Sequence, residues 1–538
     1  MISYSKKTQT TQKKIMTTVN NFKMNRILLI AAIMAFTASS CKKIIDVYPA
    51  SNLYEQAYYT NVNEINNALT GCYNGMQKPL FHEWSVTELR GDNSIMGNPT
   101  SGSADNRELS DLDIFMPSTS HEGIYNYWLN SYYNVYNVNK VLSSVGVNYH
   151  SSTGELSYDS ITIPVSLADR KRISAEASFI RAYHYFNLVR LYGGVFLIDR
   201  PVTPAEAKQI NRSSVEAIYK LIVADLQNAI SNGSDAPFNA ILSNNLGRAN
   251  AWSAKAMLAK VYLTLNRKSD AAILLQDIIA NSRYALQANY SDVFSTTNEM
   301  NSEILFAIRY KSGKVGLGSP FSNLFAPNSS GMAIVNGDGQ GYNYPALEIM
   351  KPTQGGYDST VDKRYGFNIG KYVTKLYVKK YISNLVYEDD AENDWPVIRY
   401  ADVLLMLAEA NGNSTSSVDL INQVRTRSGQ SALSASSVAT DAQFESALST
   451  ERRLEFAFEN QRWFDVLRFG TTLTTINAID VMKNHFANMY TVHYDSYPQP
   501  LTLSQIQNLI TADHLLLPIP QREIDNNTII TIPQNPGY

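Results

Sequence analysis

The sequence predicts a mainly α-helical protein: a helical repeat scaffold with an irregular, loop-rich region that carries short strands. Three observations lead there. Apolar side chains recur at steps of three and four in several separate stretches, the period of a helix with one buried face. Two of these stretches follow each other at a repeat spacing. Residues 310–395 then lose the period, with seven glycines from Gly313 to Gly341 and frequent Pro and Tyr. An irregular stretch of that length inside a compact domain is usually functional.

The helices come in order. Val62–Met76 carries Ile65, Leu69, Cys72 and Met76 at helical spacing, and Tyr125–Leu142 follows less regularly. From Asp169 a tyrosine-rich helix runs through Ala175, Phe179, Ala182, Phe186 and Val189 to Gly193–Gly194. Glycine takes the left-handed conformation that ends a helix. The apolar run Val195–Ile198 leaves as an extended segment before Pro201. Ser213–Glu216 reads as a capping box opening a helix through Ile230, and Arg248–Leu265 is another helix. Leu258, Ala259, Tyr262, Ala271, Leu275 and Ile278 fall on the offsets of one tetratricopeptide unit, a helix pair with small residues at the close approach. The fit is partial: Lys255 stands at the leading Trp position and Arg283 at the closing Pro. Tyr400–Ala410 with Val418–Arg427 forms a second, less regular pair.

At 538 residues, with 44% hydrophobic and 17% charged, the chain is long enough for a large core and poorer in charge than usual. Its N-terminus reads as an export signal: Arg26, ten apolar residues Ile27–Phe36, then small residues up to Cys41. The apolar run is too short to span a membrane, which takes about 20 residues. Small residues running into a cysteine form a lipobox, with Ala38 where Leu is usual, so residues 1–40 are the expected signal peptide and Cys41 the lipidated residue. Met24 is an alternative start. Residues 1–40 hold six basic and no acidic residues, leaving 40 basic against 48 acidic from Cys41 onward. That balance gives no support for nucleic-acid binding. Besides Cys41 only Cys72 remains, so no intrachain disulfide framework is available, and Cys72 reads as a small buried hydrophobe.

Several stretches resemble the SusD/RagB family of outer-membrane nutrient-binding lipoproteins of Bacteroidetes. They are the tyrosine-rich helix ending in Tyr192-Gly-Gly, the mature start CKKIIDVYPASNLY, ELRGDNS at Glu88–Ser94 and RYADVLLMLAEA at Arg399–Ala410. ERRLEFAFENQRWFDVLRFG at Glu451–Gly470, taken as one helix, and the tail LLLPIPQREIDNNTIITIPQNPGY complete the set. The helix departs at Asn460, where the family commonly has Gly; Asn tolerates a left-handed backbone better than most residues. The resemblance implies one SusD-like domain over 41–538. Its helical scaffold lies mainly in 55–80, 125–310 and 396–470, and the irregular, ligand-facing segments are 81–120 and 310–395.

Catalytic and metal chemistry find little support in the residues. Arg452, Glu455, Glu459, Arg462, Asp465 and Arg468 recur at steps of three or four, which suits ion pairs. Two carboxylates on consecutive turns of one helix are poorly placed to flank a sugar as a glycosidase requires. Asn336, Asp338 and Gln340 alternate like a calcium loop, but its twelfth position is Leu347, with Glu348 one late. No H-E-x-x-H, G-x-S-x-G or phosphate loop occurs, and neither cofactor nor metal is expected.

What the resemblance implies is a non-enzymatic lid over a SusC-like TonB-dependent transporter, anchored in the outer membrane through Cys41. Its cargo would be an oligosaccharide; a peptide cargo is the first alternative and a surface glycoside hydrolase the second. Sugars present apolar C–H faces and hydroxyl edges, so aromatic rings beside Asn, Asp and Arg are the expected contacts. The candidates are Trp84, Arg90, Asp92 and Asn93 from the first irregular segment, and Tyr342, Tyr344 and Tyr357 from the second.

Overall fold

A computed structural model describes residues 59–538 except 98, 100–102 and 384. The expected signal, Cys41 and the mature start lie outside the described residues. Among the described residues thirteen helices have ten residues or more. They are α1 (Val62–Asn74), α2 (Gln77–Glu88), α3 (Ala104–Asp113), α4 (Glu122–Ser144), α5 (Leu167–Tyr192), α6 (Val215–Asn232) and α7 (Ala251–Thr264). The rest are α8 (Lys268–Asn281), α9 (Tyr400–Asn411), α10 (Thr415–Arg427), α11 (Asp441–Glu455), α12 (Arg462–Thr472) and α13 (Ala478–Met489). From α4 to α10 each of these helices packs on the next. The molecule is therefore mainly α, a helical scaffold with a few short strands.

Helix α5 is the centre of that scaffold. The Ser166 hydroxyl accepts from the Asp169 backbone N–H at its start. At its end Gly193, with φ 71°, donates back to the Val189 carbonyl. The sequence pattern suggested one buried face, but from Ile173 to Tyr192 every residue except Arg190 is buried. Helices α4 and α6 both pack on it, so the polar residues must find partners inside. Arg181 makes a two-toothed pair with Asp225, at 2.8 and 2.7 Å, and the Tyr183 hydroxyl and Asn187 amide both donate to Glu83. The C-terminal tail seals the far end, since the Leu517 N–H donates to the Leu191 carbonyl and the Asn535 amide to that of Tyr192. Two of the quoted sequence signatures, Tyr-Gly-Gly and the tail, are thus one contact.

Helices α7 and α8 form the pair expected from the repeat offsets, and all six offset residues are buried. The turn between them is made by Asn266 at φ 56°. One detail differs at α6: its cap is Ser214, which accepts from Ala217, one residue later than the capping box read from Ser213.

Among the described residues eight strands form four antiparallel pairs. The pair with the largest consequence is β4 (Ile304–Ile308) with β8 (Trp395–Arg399), because it brackets the irregular region. Residues 310–395 leave the scaffold and return at one place. Their base is held by an aromatic cluster in which Tyr381 stacks on Trp395 at 4.3 Å and Phe321 lies 4.6 Å from the same ring. The irregular segments also meet each other: β1 (Ser94–Met96) pairs with β5 (Asn343–Pro345), setting Ile95 opposite Tyr344. The first segment is less irregular than its composition suggests, since α2 occupies 77–88 and α3 occupies 104–113.

The expected single helix over Glu451–Gly470 is two. Helix α11 ends at Glu455, α12 begins at Arg462, and Phe458 and Asn460 between them sit at φ 67° and 59°. Asn460 therefore occupies the left-handed position that its replacement of Gly implied. The charged residues on either side of the break reach partners remote in sequence. Glu455 is drawn to Arg364, Arg399 and Arg427. Glu459 pairs with Lys380 and Arg399, and Arg462 with Asp92. Arg452 and Arg468 share Asp465, and Arg468 also grips Glu409 at 2.7 Å. The ion pairs expected along one helix thus run mostly between distant segments, all in the interior.

Candidate functional site

The seam between the irregular segments contains five of the seven candidate residues, all buried. Arg90 lies under Trp463 and Phe115, 4.5 and 5.0 Å from the ring centres, and donates to the His514 carbonyl. Burial pushes its guanidinium down to about 10. Asp92 receives Arg462 through both oxygens and Arg453 at 3.2 Å. Burial opposes its ionisation, but the two guanidiniums outweigh that and hold the carboxyl well below the usual range. The Asn93 side-chain oxygen accepts from Arg453, and its backbone carbonyl from Ala346. Tyr357 is fully buried, donating to the Leu454 carbonyl and accepting from Asn368. Tyr344 packs so closely on Gly97 that a Cβ there would lie 2.4 Å from its ring; only glycine fits. These five side chains lock the seam and present no surface to a ligand. Their composition, rich in Gly, Asn and Asp, suggested exposed loop; the long-range arginines that bury them come from residues 453 and 462.

The other two candidates, Trp84 and Tyr342, come together. They line a cleft of about 380 Å³ with Phe81, His82, Glu108, His121, Glu122, Asn126 and Leu324 among its walls. Helix α2 supplies Phe81, His82 and Trp84, the N-terminal turn of α4 supplies Glu122 and Asn126, and α3 supplies Glu108. The irregular region contributes Tyr342, whose backbone N–H is pinned to the Leu324 carbonyl. Trp84 forms floor rather than platform: it is 3% exposed and meets Phe325 edge-on at 5.3 Å. Phe81, 42% exposed and edge-to-face with His82, is the open ring. Sequence does not single out Phe81 within the segment 81–120, because exposure of an aromatic ring is a property of the fold.

The polar rim is ordered. His121 caps α4 by accepting from the Ile124 N–H through Nδ1, while its Nε2 lies 3.0 Å from the Glu108 carbonyl. Glu108 accepts from the Glu122 N–H and leaves its side chain 35% exposed. Burial, with His121 nearby, lowers the His82 imidazole to about 4, so it is neutral near pH 7. The cleft therefore offers open aromatic surface, a neutral imidazole and one carboxylate fixed by its neighbours. Asn336 and Asp338, read as a weak calcium loop, are tied to Val386 and Gly339. Among the described residues no group of three or more His, Cys, Asp or Glu is placed to hold a metal ion, and no helix is long and apolar enough to cross a membrane.

The fold is thus a helical scaffold with an open, partly aromatic cleft. Residues 330–538 match the model of the SusD family, and residues 43–263 match one described as starch-binding associating with outer membrane. SusD-like protein P25 of Formosa agariphila is 24% identical, with 94% of this chain and 97% of that protein covered. A solved laminarin-binding SusD-like protein superposes with a TM-score of 0.70 at 24% identity, covering 89% of this chain and all of the other. Surface glycan-binding protein A from Bacteroides thetaiotaomicron, solved with laminarihexaose, gives 0.66 at 20% identity over 88% of this chain and 99% of that one. The chain belongs to the SusD/RagB family, whose members are outer-membrane-associated binding proteins and not enzymes.

Proposed function

We propose that the protein captures an oligosaccharide in the Phe81–Tyr342 cleft and serves as the lid of a SusC-like TonB-dependent transporter in nutrient uptake. Cys41 carries the lipid that anchors it to the outer membrane, with the domain on the outer face. The helix pairs are tetratricopeptide-like units that face the transporter, and the irregular region completes the ligand pocket. The observation behind this reading is the cleft itself: an open aromatic ring on a rigid helix beside ordered polar groups, which suits a sugar's apolar face and hydroxyl edge. Laminarin-type glycans are the first cargo to test, because two solved proteins of the same fold bind them. Uptake then rests on differential affinity between open and closed lid states, with no covalent step.

Calorimetry of the detergent-solubilised full chain against laminarihexaose, starch oligosaccharides and peptides tests the cargo. Binding of a glycan, weakened by Phe81→Ala, is expected; binding of peptides alone would move the cargo to the alternative class. Radiolabelled palmitate should enter the wild type and not Cys41→Ala, and the wild type should co-purify with a TonB-dependent barrel.

A further inference from the structure

The cleft is small for a polymer. At about 380 Å³ it sits near the lower end of small-molecule pockets, room for roughly two sugar rings. Helix α4, which closes one wall, does not stop there. Glu122 and Asn126 line the cleft, and Leu129, Tyr133, Tyr136 and Lys140 follow on the same face at helical steps. The opposite face, with Ile124, Trp128, Val135 and Val138, is buried. An outward face of a surface helix is ordinarily charged or polar; here Leu129 is 43% exposed and Tyr133 62%. The Tyr133 ring packs against no other aromatic ring among the described residues, and Tyr136 is steadied by the Lys140 ammonium at 4.2 Å. From Asn126 to Tyr133 the helix rises about 10 Å.

We propose that the outward face of α4 continues the cleft as a track for the rest of a glycan too long to fit within it. This inference rests on the glycan reading of the cleft and specifies its substrate as a chain of several sugars. Continuity is the first argument, because the same helix face lines the cleft and carries the rings beyond it. Backbone chemistry is the second. A mid-helix backbone spends its N–H and C=O groups internally, so it cannot pair with an extended peptide as a strand edge does. What α4 offers is side-chain rings and amides, and a glycan engages these through its C–H faces and hydroxyls.

The test is calorimetry of the detergent-solubilised full chain with laminaribiose and laminarihexaose, comparing wild type, Phe81→Ala and Tyr133→Ala. Tyr133→Ala should weaken laminarihexaose about tenfold and leave laminaribiose unchanged, whereas Phe81→Ala should weaken both. Tyr133 is exposed, so its variant should melt with the wild type. If Phe81→Ala weakens both ligands and Tyr133→Ala neither, the track is overturned and the cleft stands. If Phe81→Ala changes neither, or neither oligosaccharide binds, the cleft reading falls and the track with it. Sedimentation showing a dimer that Tyr133→Ala dissociates, with laminarihexaose affinity intact, would overturn the track in favour of self-association.

Discussion

Around Glu455 and around Phe81 the chain uses similar residue types to opposite ends. At Glu455, Arg364, Arg399 and Arg427 converge on one carboxylate; Glu455, Arg364 and Arg399 are buried, Arg427 is half-buried, and the three partners come from three separate segments. Burial works against the Glu455 charge, yet the three guanidiniums hold its pKa far below the ordinary range. At Phe81 the ring stays open, and the carboxylate of Glu108 keeps a third of its side chain exposed. The first arrangement is complete without a ligand. The second leaves an aromatic ring open to solvent. In this fold, density of charge goes with burial, and the proposed function rests on the aromatic surface left open.

Breaking the charged cluster should have the largest effect. Arg399→Met leaves Glu303, Glu455 and Glu459 short of a buried partner, and a loss of roughly 3–5 kcal/mol is expected in urea unfolding. Glycan affinity of the folded protein should not change. A loss below about 1 kcal/mol would mean that the buried ion pairs contribute little to stability.

Phe81→Ala should do the reverse: affinity falls about tenfold, roughly 1.4 kcal/mol, while unfolding free energy moves by less than about 0.5 kcal/mol, as for an exposed side chain. Equal effects on both quantities would erase the distinction between the regions.

Acid separates them again, by a smaller amount. Burial lowers His184 to about 3, and burial with His121 lowers His82 to about 4, against an ordinary 6.5. Between pH 6.5 and about 4 the unfolded chain binds protons that these folded imidazoles refuse. Their contribution to stability is therefore complete above pH 6.5 and shrinks as pH falls. Subtracting the profile of His184→Gln from that of wild type isolates one of them. His82 stays neutral from pH 8 to 5, so the pH profile of glycan affinity over that range should be the same in wild type and His82→Gln; a step that His82→Gln abolishes would contradict that assignment.

The smallest effect belongs to Asn460. At φ 59°, Asn460→Gly should change stability by less than about 1 kcal/mol, whereas Asn460→Val should cost distinctly more because a β-branched residue is strained there. Thermal denaturation of the two variants measures the difference.

The helices were legible because burial imposes a period on local sequence, and the α7–α8 pair was legible down to individual residues such as Leu258 and Ala271. The break between α11 and α12 was not. Charges spaced by three and four look helical whichever way their partners lie, and Asp92, Arg364 and Lys380 are remote in sequence. The same blindness sent Arg90, Asp92 and Asn93 to the ligand side: a polar stretch reads as loop until the arginines that bury it are known. Trp84 and Tyr342 reached the cleft because the irregular segments do meet. Phe81 escaped because exposure of an aromatic ring is a property of the fold, and no local pattern announces it. The tail was recognisable as a signature, but its reason, the hydrogen bonds to Leu191 and Tyr192, exists only in three dimensions.

Hydrogen–deuterium exchange of the full chain with and without saturating laminarihexaose tests the central claim most directly. Ligand should slow exchange in segments 81–85, 108–109, 121–126 and around Tyr342, and leave 451–468 and the segment around Tyr357 unchanged. Protection centred on Arg90–Asn93 and Tyr357, with none at Phe81 and Asn126, would place the ligand in the seam and contradict the account.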